Sequence, residues 1–148
     1  MKKQPTLRER AFGLLARREH SRAELGRKLA AHAGPEDDLE ALLEDLSRRK
    51  LVSDERYAES RTHALSRKFG AARIVQELRA RGLDKGLAER ASAAARVTEI
   101  ERARAVWLRK FKHPPGSRDE RARQMRFLQS RGFSFDAIRA VIRGADEE

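Results

Sequence analysis

Clustered arginines and lysines are the side chains of this sequence best suited to chemistry, and that chemistry is the binding of anions. Residues 61–131 hold 19 Lys and Arg against 7 Asp and Glu, a net charge of +12, whereas the rest of the 148-residue chain sums to −1. Cations grouped in this way bind phosphates with little regard for base sequence and with strong sensitivity to salt. An anionic partner is therefore expected. The clusters are Arg61, Arg67 and Lys68; Arg73, Arg79 and Arg81; Arg102, Arg104, Arg109, Lys110 and Lys112; and Arg118, Arg121, Arg123, Arg126 and Arg131.

No set of residues with the spacing of a catalytic or metal centre accompanies these clusters. The chain has no cysteine, which excludes thiolate catalysis, disulfides and Cys-ligated zinc. The adjacent Asp37 and Asp38 fall at a predicted helix N-terminus, where carboxylates stabilise the helix dipole. The glycines are single, so no phosphate-binding loop is present. We expect no enzyme activity, no metal and no cofactor, and the four histidines are scattered as His20, His32, His63 and His113.

The start of the chain and its hydropathy favour a cytoplasmic protein. The charges of Lys2 and Lys3 are not followed by the apolar stretch of a signal peptide. No apolar run approaches the roughly 20 residues of a membrane span. We therefore expect a cytoplasmic protein without membrane contact.

Apolar residues recur at helical spacing along almost the whole chain. Ala71, Ile74, Val75 and Leu78 are one such stripe, and no segment alternates as a β-strand would. The pattern predicts an all-α fold of about nine short helices. Single glycines predict helix ends at Gly34, Gly82, Gly132 and Gly144. Hydroxyl–carboxylate pairs of the capping-box type predict helix starts at Thr6 with Glu9, Ser21 with Glu24, Thr98 with Glu101, and Ser117 with Glu120.

The helices belong to a repeat. Gly82 and Gly132 lie 50 positions apart, as do Leu78 and Leu128, and the stretch from Ser21 is an earlier copy. Such periodicity is typical of stacked supersecondary units. We predict an elongated, curved tandem array of three three-helix modules at residues 1–52, 53–96 and 97–148, and we expect a monomer.

Three motifs in order resemble the RecX family, the bacterial regulators of the RecA recombinase. The resemblance spans almost the whole chain, from about Leu7 to Ile142. The second module carries the nearest match, and the other two modules support it. The motifs are Asp54-Glu55-Arg56-Tyr57-Ala58 with Arg67-Lys68-Phe69-Gly70 and Arg81-Gly82-Leu83; Leu14-Leu15-Ala16-Arg17-Arg18-Glu19-His20-Ser21; and Arg126-Phe127-Leu128 with Arg131-Gly132-Phe133.

The resemblance implies a regulator that binds the filament formed by RecA on single-stranded DNA. Such a protein opposes filament extension and lowers ATP hydrolysis and strand exchange, in DNA repair, recombination and the SOS response. Weak direct DNA binding would accompany this activity. We expect the contact surface to comprise Arg67, Lys68, Arg73, Arg79 and Arg81, from the motif of the second module, with Arg104, Lys110, Arg123 and Arg126 added on charge alone.

Two other functions fit the same residues. Three-helix units are similar to helix-turn-helix domains, so the basic helix after Gly70 could enter a DNA groove in a nucleoid protein that acts without RecA. A helical-repeat scaffold for an unrelated acidic protein is the other alternative.

Overall fold

The computed structural model describes residues 3–147, with side chains as far as Ala145. Over this range the chain consists of nine α-helices without a β-strand, which confirms the predicted fold class. The helices are α1 (Leu7–Arg17), α2 (Arg22–Ala30), α3 (Leu39–Arg48), α4 (Asp54–Leu65), α5 (Ala71–Ala80), α6 (Lys85–Val97), α7 (Glu99–Lys110), α8 (Arg118–Ser130) and α9 (Phe135–Glu147).

All four predicted helix starts are confirmed in position, and three of them have the predicted side-chain cap. The hydroxyls of Thr6, Ser21 and Ser117 accept hydrogen bonds from the backbone N–H three positions on, at 3.1, 3.0 and 3.1 Å. At the fourth start, α7 begins directly after Thr98 as predicted, but the predicted cap is wrong, because the Thr98 hydroxyl accepts no hydrogen bond from the first turn of α7. Since α6 runs to Val97, Thr98 joins two helices with φ −100° and ψ 13°, and it lacks the extended conformation that a cap requires.

Two of the predicted glycine stops are confirmed by their backbone angles. Gly82 and Gly132 follow α5 and α8 with φ values of 87° and 85°, the left-handed conformation of a helix C-terminus. Gly34 lies beyond the end of α2 and donates its N–H to Asp37 Oδ2 at 2.8 Å. The predicted stop at Gly144 is wrong, because α9 continues through it. Its neighbours Val141, Ile142 and Ala145 are packed in a core that holds the helix together.

The helices enclose three separate hydrophobic cores, one for each group of three. Each core is small, so its burial alone offsets little more than the entropy of ordering its helices. The predicted module boundaries, at 52/53 and 96/97, stay a proposal. The first core contains Leu7, Ala11, Leu25, Leu29, Leu42, Leu43, Leu46 and Val52; the second Tyr57, Ala58, Ala71, Ile74, Leu78, Leu83, Ala88 and Ala95; and the third Ala103, Val106, Trp107, Leu128, Phe133, Ala137, Ile138, Val141, Ile142 and Ala145.

Polar contacts join the first group of helices to the second. Asp54, the first residue of α4, accepts a hydrogen bond from the backbone N–H of Arg22 at 2.8 Å. Arg56 pairs with Glu19 at 2.9 Å and donates to the carbonyl of Lys50 at 2.9 Å. These contacts hold the start of α4 against the start of α2.

The second and third groups meet backbone to backbone. Gly70 donates its N–H to the carbonyl of Arg131 at 2.8 Å, and a Cβ on Gly70 would overlap the carbonyl group of Gly132. A Cβ on Gly132 would in turn overlap Arg73, whose guanidinium donates to the carbonyl of Ser130 at 3.1 Å. Close approach of this kind requires glycine on both sides.

Alanine substitutions at the two left-handed glycines should differ in cost. Gly82→Ala adds only backbone strain, since its Cβ would lie 3.8 Å from Ala23, and we expect a loss of about 1–2 kcal/mol. Gly132→Ala adds the overlap with Arg73 to similar strain, which contributes a further 1–3 kcal/mol or so. Urea unfolding followed by circular dichroism measures both variants. Equal losses would mean that the contact between Gly132 and α5 is not formed in solution.

An ion pair stabilises the start of α2. Arg18 Nη2 lies 2.6 Å from Glu24 Oε2, and Lys28 Nζ lies 3.7 Å from the same oxygen. The hydrogen bond from Arg18 is the main cause that lowers the pKa of Glu24 to about 2 from an ordinary value of 4.5. Because the folded-state pKa is depressed, the resulting stability is present above pH 4.5 and is lost as the pH falls towards 2.

Glu24→Gln should therefore destabilise the chain at neutral pH and have little effect near pH 2. The difference in thermal midpoint between the wild type and this variant should shrink as the pH is lowered through the window from 4.5 to about 2. The exposed Glu59→Gln is the matched control. A difference that stays constant with pH would contradict the ion pair as the cause.

Candidate functional site

The described side chains do not gather into a metal-binding cluster. Within residues 3–145 no group of three or more His, Cys, Asp or Glu is arranged to hold a metal ion. His20 is buried, with Nδ1 3.1 Å from the carbonyl oxygen of Arg18 and Nε2 3.1 Å from Lys28 Nζ. Because Lys28 can only donate, Nε2 accepts and Nδ1 carries the proton, which is a structural role. Asp38 caps α3 by accepting from the N–H of Ala41 at 3.0 Å.

No helix in the described part of the chain has both the length and the apolar character needed to cross a bilayer.

The second and third groups of helices meet at what we call the second joint, and the first and second groups meet at the first joint. Basic side chains from both sides of the second joint surround a concave feature, which we call the basic groove. It has a volume of about 310 Å³ and lies between the turn after α4, the end of α7 and the end of α8. Val106 and Phe127 are the apolar residues of its lining. The groove is lined by Lys68, Val106, Arg109, Lys110, Phe127 and Arg131.

Aromatic rings contact two of the four cations of the groove, Lys110 and Arg131, and also Arg73 beside it. The guanidinium carbon of Arg131 lies 5.7 Å from the ring centre of Phe69 and 5.1 Å from that of Phe127. Lys110 Nζ lies 5.6 Å from the centre of Phe127, and Arg73 lies 4.9 Å from that of Phe69. Each contact is worth roughly 0.5–1 kcal/mol at an exposed site. The rings therefore order long side chains that would otherwise move freely.

No carboxylate of the described side chains pairs with a cation of the groove. Among the described residues, Lys68, Arg109, Lys110 and Arg131 form no ion pair, although Arg109 donates to the carbonyl of Arg67 at 2.8 Å. Lys68, Arg109 and Lys110 are exposed. Cations gathered in a concave surface concentrate the electrostatic field and attract anions.

A buried carboxylate fixes the two sides of the groove relative to each other. Glu99, at the start of α7, is 7% exposed. Its Oε1 accepts from the N–H of Ala71 at 2.7 Å, and its Oε2 accepts from the N–H of Ser134 at 3.1 Å. The Glu99 side chain thus accepts from one backbone donor at the start of α5 and from another just before α9. Its bond to α5 replaces a local cap, since α5 has no capping side chain of its own.

Arg102 reinforces this joint one turn further along α7. Its guanidinium donates to the carbonyls of Ser66 and Phe69 at 2.9 and 2.6 Å, and also to that of Ala95. Burial lowers the pKa of Arg102, and the nearby carboxylate of Glu99 acts in the opposite direction. Arg102 belongs to a basic cluster in the sequence, but its donors are used inside the protein.

The residues predicted as the contact surface fall into two classes. Seven of them are exposed, and only Lys68 and Lys110 among them line the basic groove. Arg73 is half-buried in the joint, where it also pairs with Glu77 at 3.2 Å. Arg81 is half-buried, with Nη1 3.4 Å from the hydroxyl of Tyr57. The exposed residues are Arg67, Lys68, Arg79, Arg104, Lys110, Arg123 and Arg126.

The contact surface predicted from the sequence did not include two basic residues of the groove. Arg109 and Arg131 were visible as members of basic clusters, but their clusters lie in α7 and at the end of α8. Their contact with Lys68 depends on how the second and third groups of helices dock. The available signal was the pair Arg131-Gly132, since a left-handed glycine marks the end of a helix where side chains converge.

Fold and site together define a tandem three-helix repeat protein with an exposed cationic groove. Family models described as the second and third three-helix domains of RecX match residues 53–91 and 98–142. The chain belongs to the RecX family.

Curated relatives and solved structures agree with this assignment. The regulatory protein RecX of Leptothrix cholodnii is 51% identical over 145 residues, which cover 98% of this chain and 92% of that protein. The RecX proteins of Ralstonia nicotianae and Neisseria gonorrhoeae are 45% and 41% identical, over 95% and 100% of this chain and 89% and 96% of their own lengths. The crystal structure of RecX from Lactobacillus salivarius superposes with a TM-score of 0.81 at 23% identity, covering 96% of each chain, which supports the fold.

Replacing Glu99 should loosen the joint that shapes the groove. Glu99→Gln puts a donor where a carboxylate oxygen accepts from the backbone, so one buried N–H loses its partner. The expected loss is about 1–3 kcal/mol in the free energy of unfolding. Urea denaturation measures it, with the exposed Glu101→Gln as the control in the same helical turn. A loss no larger than that of the control would rule out the double cap.

Proposed function

We propose that this RecX-family regulator binds the filament that RecA forms on single-stranded DNA and restrains it. It opposes filament extension and thereby lowers ATP hydrolysis and strand exchange. The observation that carries this proposal is the set of cations in and around the basic groove that lack carboxylate partners among the described residues. A nucleoprotein filament presents both phosphates and repeated protein surfaces to such a set.

The proposed mode of action is binding rather than catalysis. Exposed cations occur in both the second and the third group of helices, from Lys68 in the turn after α4 and Arg79 on α5 to Lys110, Arg123 and Arg126. Several weak contacts made from one connected body add through their effective concentration. Restraint of the filament then needs no reaction on the regulator itself.

The helix-turn-helix alternative is disfavoured by the surroundings of α5. In that mode the N-terminal residues of the second helix contact base edges in the major groove. Here the N–H of Ala71 is bonded to Glu99, and Arg73 is packed against Phe69 and Ser130. The start of α2 is covered in the same way by Asp54. The starts of α2 and α5 are therefore occupied by the following group of helices.

A RecA ATPase assay on single-stranded DNA tests the proposal. The wild-type chain should inhibit hydrolysis by the RecA of the same bacterium in a dose-dependent manner. Arg79→Gln with Arg126→Gln should weaken inhibition severalfold, because both side chains are exposed and each phosphate or carboxylate contact contributes to binding. Circular dichroism should show unchanged helicity.

The control is Arg17→Gln with Arg27→Gln, which removes the same charge from exposed positions in the first group of helices. This control should inhibit like the wild type. Tight binding of the wild type to bare DNA without any effect on RecA would favour the nucleoid alternative. Failure both to bind DNA and to inhibit RecA would favour a scaffold for another acidic protein.

A further inference from the structure

We propose that the basic groove is a phosphodiester site that holds the backbone of a single strand of nucleic acid without reading its bases. Single-stranded DNA is a component of the proposed target, so this site rests on the proposed function and specifies which part of the target it contacts.

The charge of the groove selects an anion. Lys68, Arg109, Lys110 and Arg131 converge on a concave surface, and none of them forms an ion pair with a described carboxylate. An ammonium group carries three donors and a guanidinium five, and only the single bond from Arg109 to Arg67 uses them among the described hydrogen bonds of these four side chains. The remaining donors are available to phosphate oxygens.

The aromatic rings of the groove argue against base stacking. Single-strand binders commonly stack bases on exposed aromatic faces. Here Phe69 is covered by Arg73 and Arg131, and Phe127 is covered by Lys110 and Arg131. The edge-on contact of Phe127 with Phe111, at 5.3 Å between ring centres, uses a further side of that ring. The rings therefore orient cations, and recognition falls to the phosphates.

The size of the groove favours one strand. A volume of about 310 Å³ is at the lower end of the range of small-ligand pockets, roughly 300–1,000 Å³. This volume matches a short segment of one sugar-phosphate backbone. The groove also lies at the joint fixed by Glu99 and Arg102, so its cations are spaced by a rigid framework.

Fluorescence polarisation with labelled oligonucleotides tests the site. The probes are dT and dA homopolymers about 16 nucleotides long, the upper end of known single-strand site sizes, and the duplex formed by the two. We expect similar affinity for the dT and dA strands and weaker binding of the duplex. A strong preference for one base, or tighter duplex binding, would overturn the proposal.

Two backbone probes separate phosphate recognition from other chemistry. An uncharged peptide-backbone analogue of the dT strand should not bind. Poly-glutamate with the same number of charges should compete much less well than the dT strand. Binding of the uncharged analogue, or equal competition by poly-glutamate, would show that phosphodiesters are not what the groove recognises.

Lys68→Gln with Lys110→Gln locates the site. We expect affinity for the dT strand to fall about tenfold, and the slope of log K against log salt to decrease by about 1.4, since each phosphate contact on a single strand contributes about 0.7. Lys3→Gln with Lys85→Gln removes the same charge from exposed positions outside the groove. This control should keep the wild-type affinity and slope. Equal losses in the two double variants would overturn the site.

The outcomes distinguish this site from the proposed function. If the wild type inhibits RecA while the groove variant binds the dT strand like the wild type, the groove is wrong and the regulatory proposal stands. If the wild type binds the dT strand through the groove and leaves RecA unaffected, the regulatory proposal is wrong and the groove stands.

Discussion

The buried carboxylate of Glu99 is the interaction on which the arrangement of the second and third groups of helices depends. It accepts from a backbone N–H at the start of α5 and from another just before α9. Each group has only a small core, so its own apolar burial stabilises it weakly. A charge-assisted hydrogen bond in a dry environment is stronger than a neutral one, and here two of them converge on one side chain. The basic groove lies across this joint, and its shape follows from it.

A similar carboxylate-to-helix contact occurs at the first joint, where it is more exposed. Asp54 begins α4 as Glu99 begins α7, and each accepts from the first N–H of the second helix in the preceding group. At Arg22 the helix also has Ser21 as its own cap, whereas α5 begins after Gly70 and has none. Opening the second joint would therefore leave α5 without any capping side chain, whereas α2 would keep Ser21 after the first joint opened. This repetition also explains why the starts of α2 and α5, the second helices of the first two groups, are covered.

Periodicity and turn chemistry were sufficient to predict the nine helices of the described chain and the left-handed stops at Gly82 and Gly132. Those features depend on residues close together in sequence. The cap of α5 could not be predicted, because its partner Glu99 lies 28 positions away and belongs to another helix. The groove could be predicted only in part, since Lys68 and Lys110 are visible as clustered charges but meet Arg131 through docking. At Gly144 the core neighbours outweighed the local preference of glycine, and the helix continued.

The cap of α5 comes from Glu99, which belongs to the next group of helices. The boundaries of the sequence repeat therefore differ from the boundaries of the segments that stabilise one another. A cut or a recombination point placed between α6 and α7 would separate α5 from the carboxylate that completes it. Chimeras between relatives should therefore exchange the start of α7 together with α4–α6, so that each transplanted helix end keeps its acceptor. Because Glu99 of the third group completes a helix of the second group, the two groups should be inherited together rather than exchanged independently.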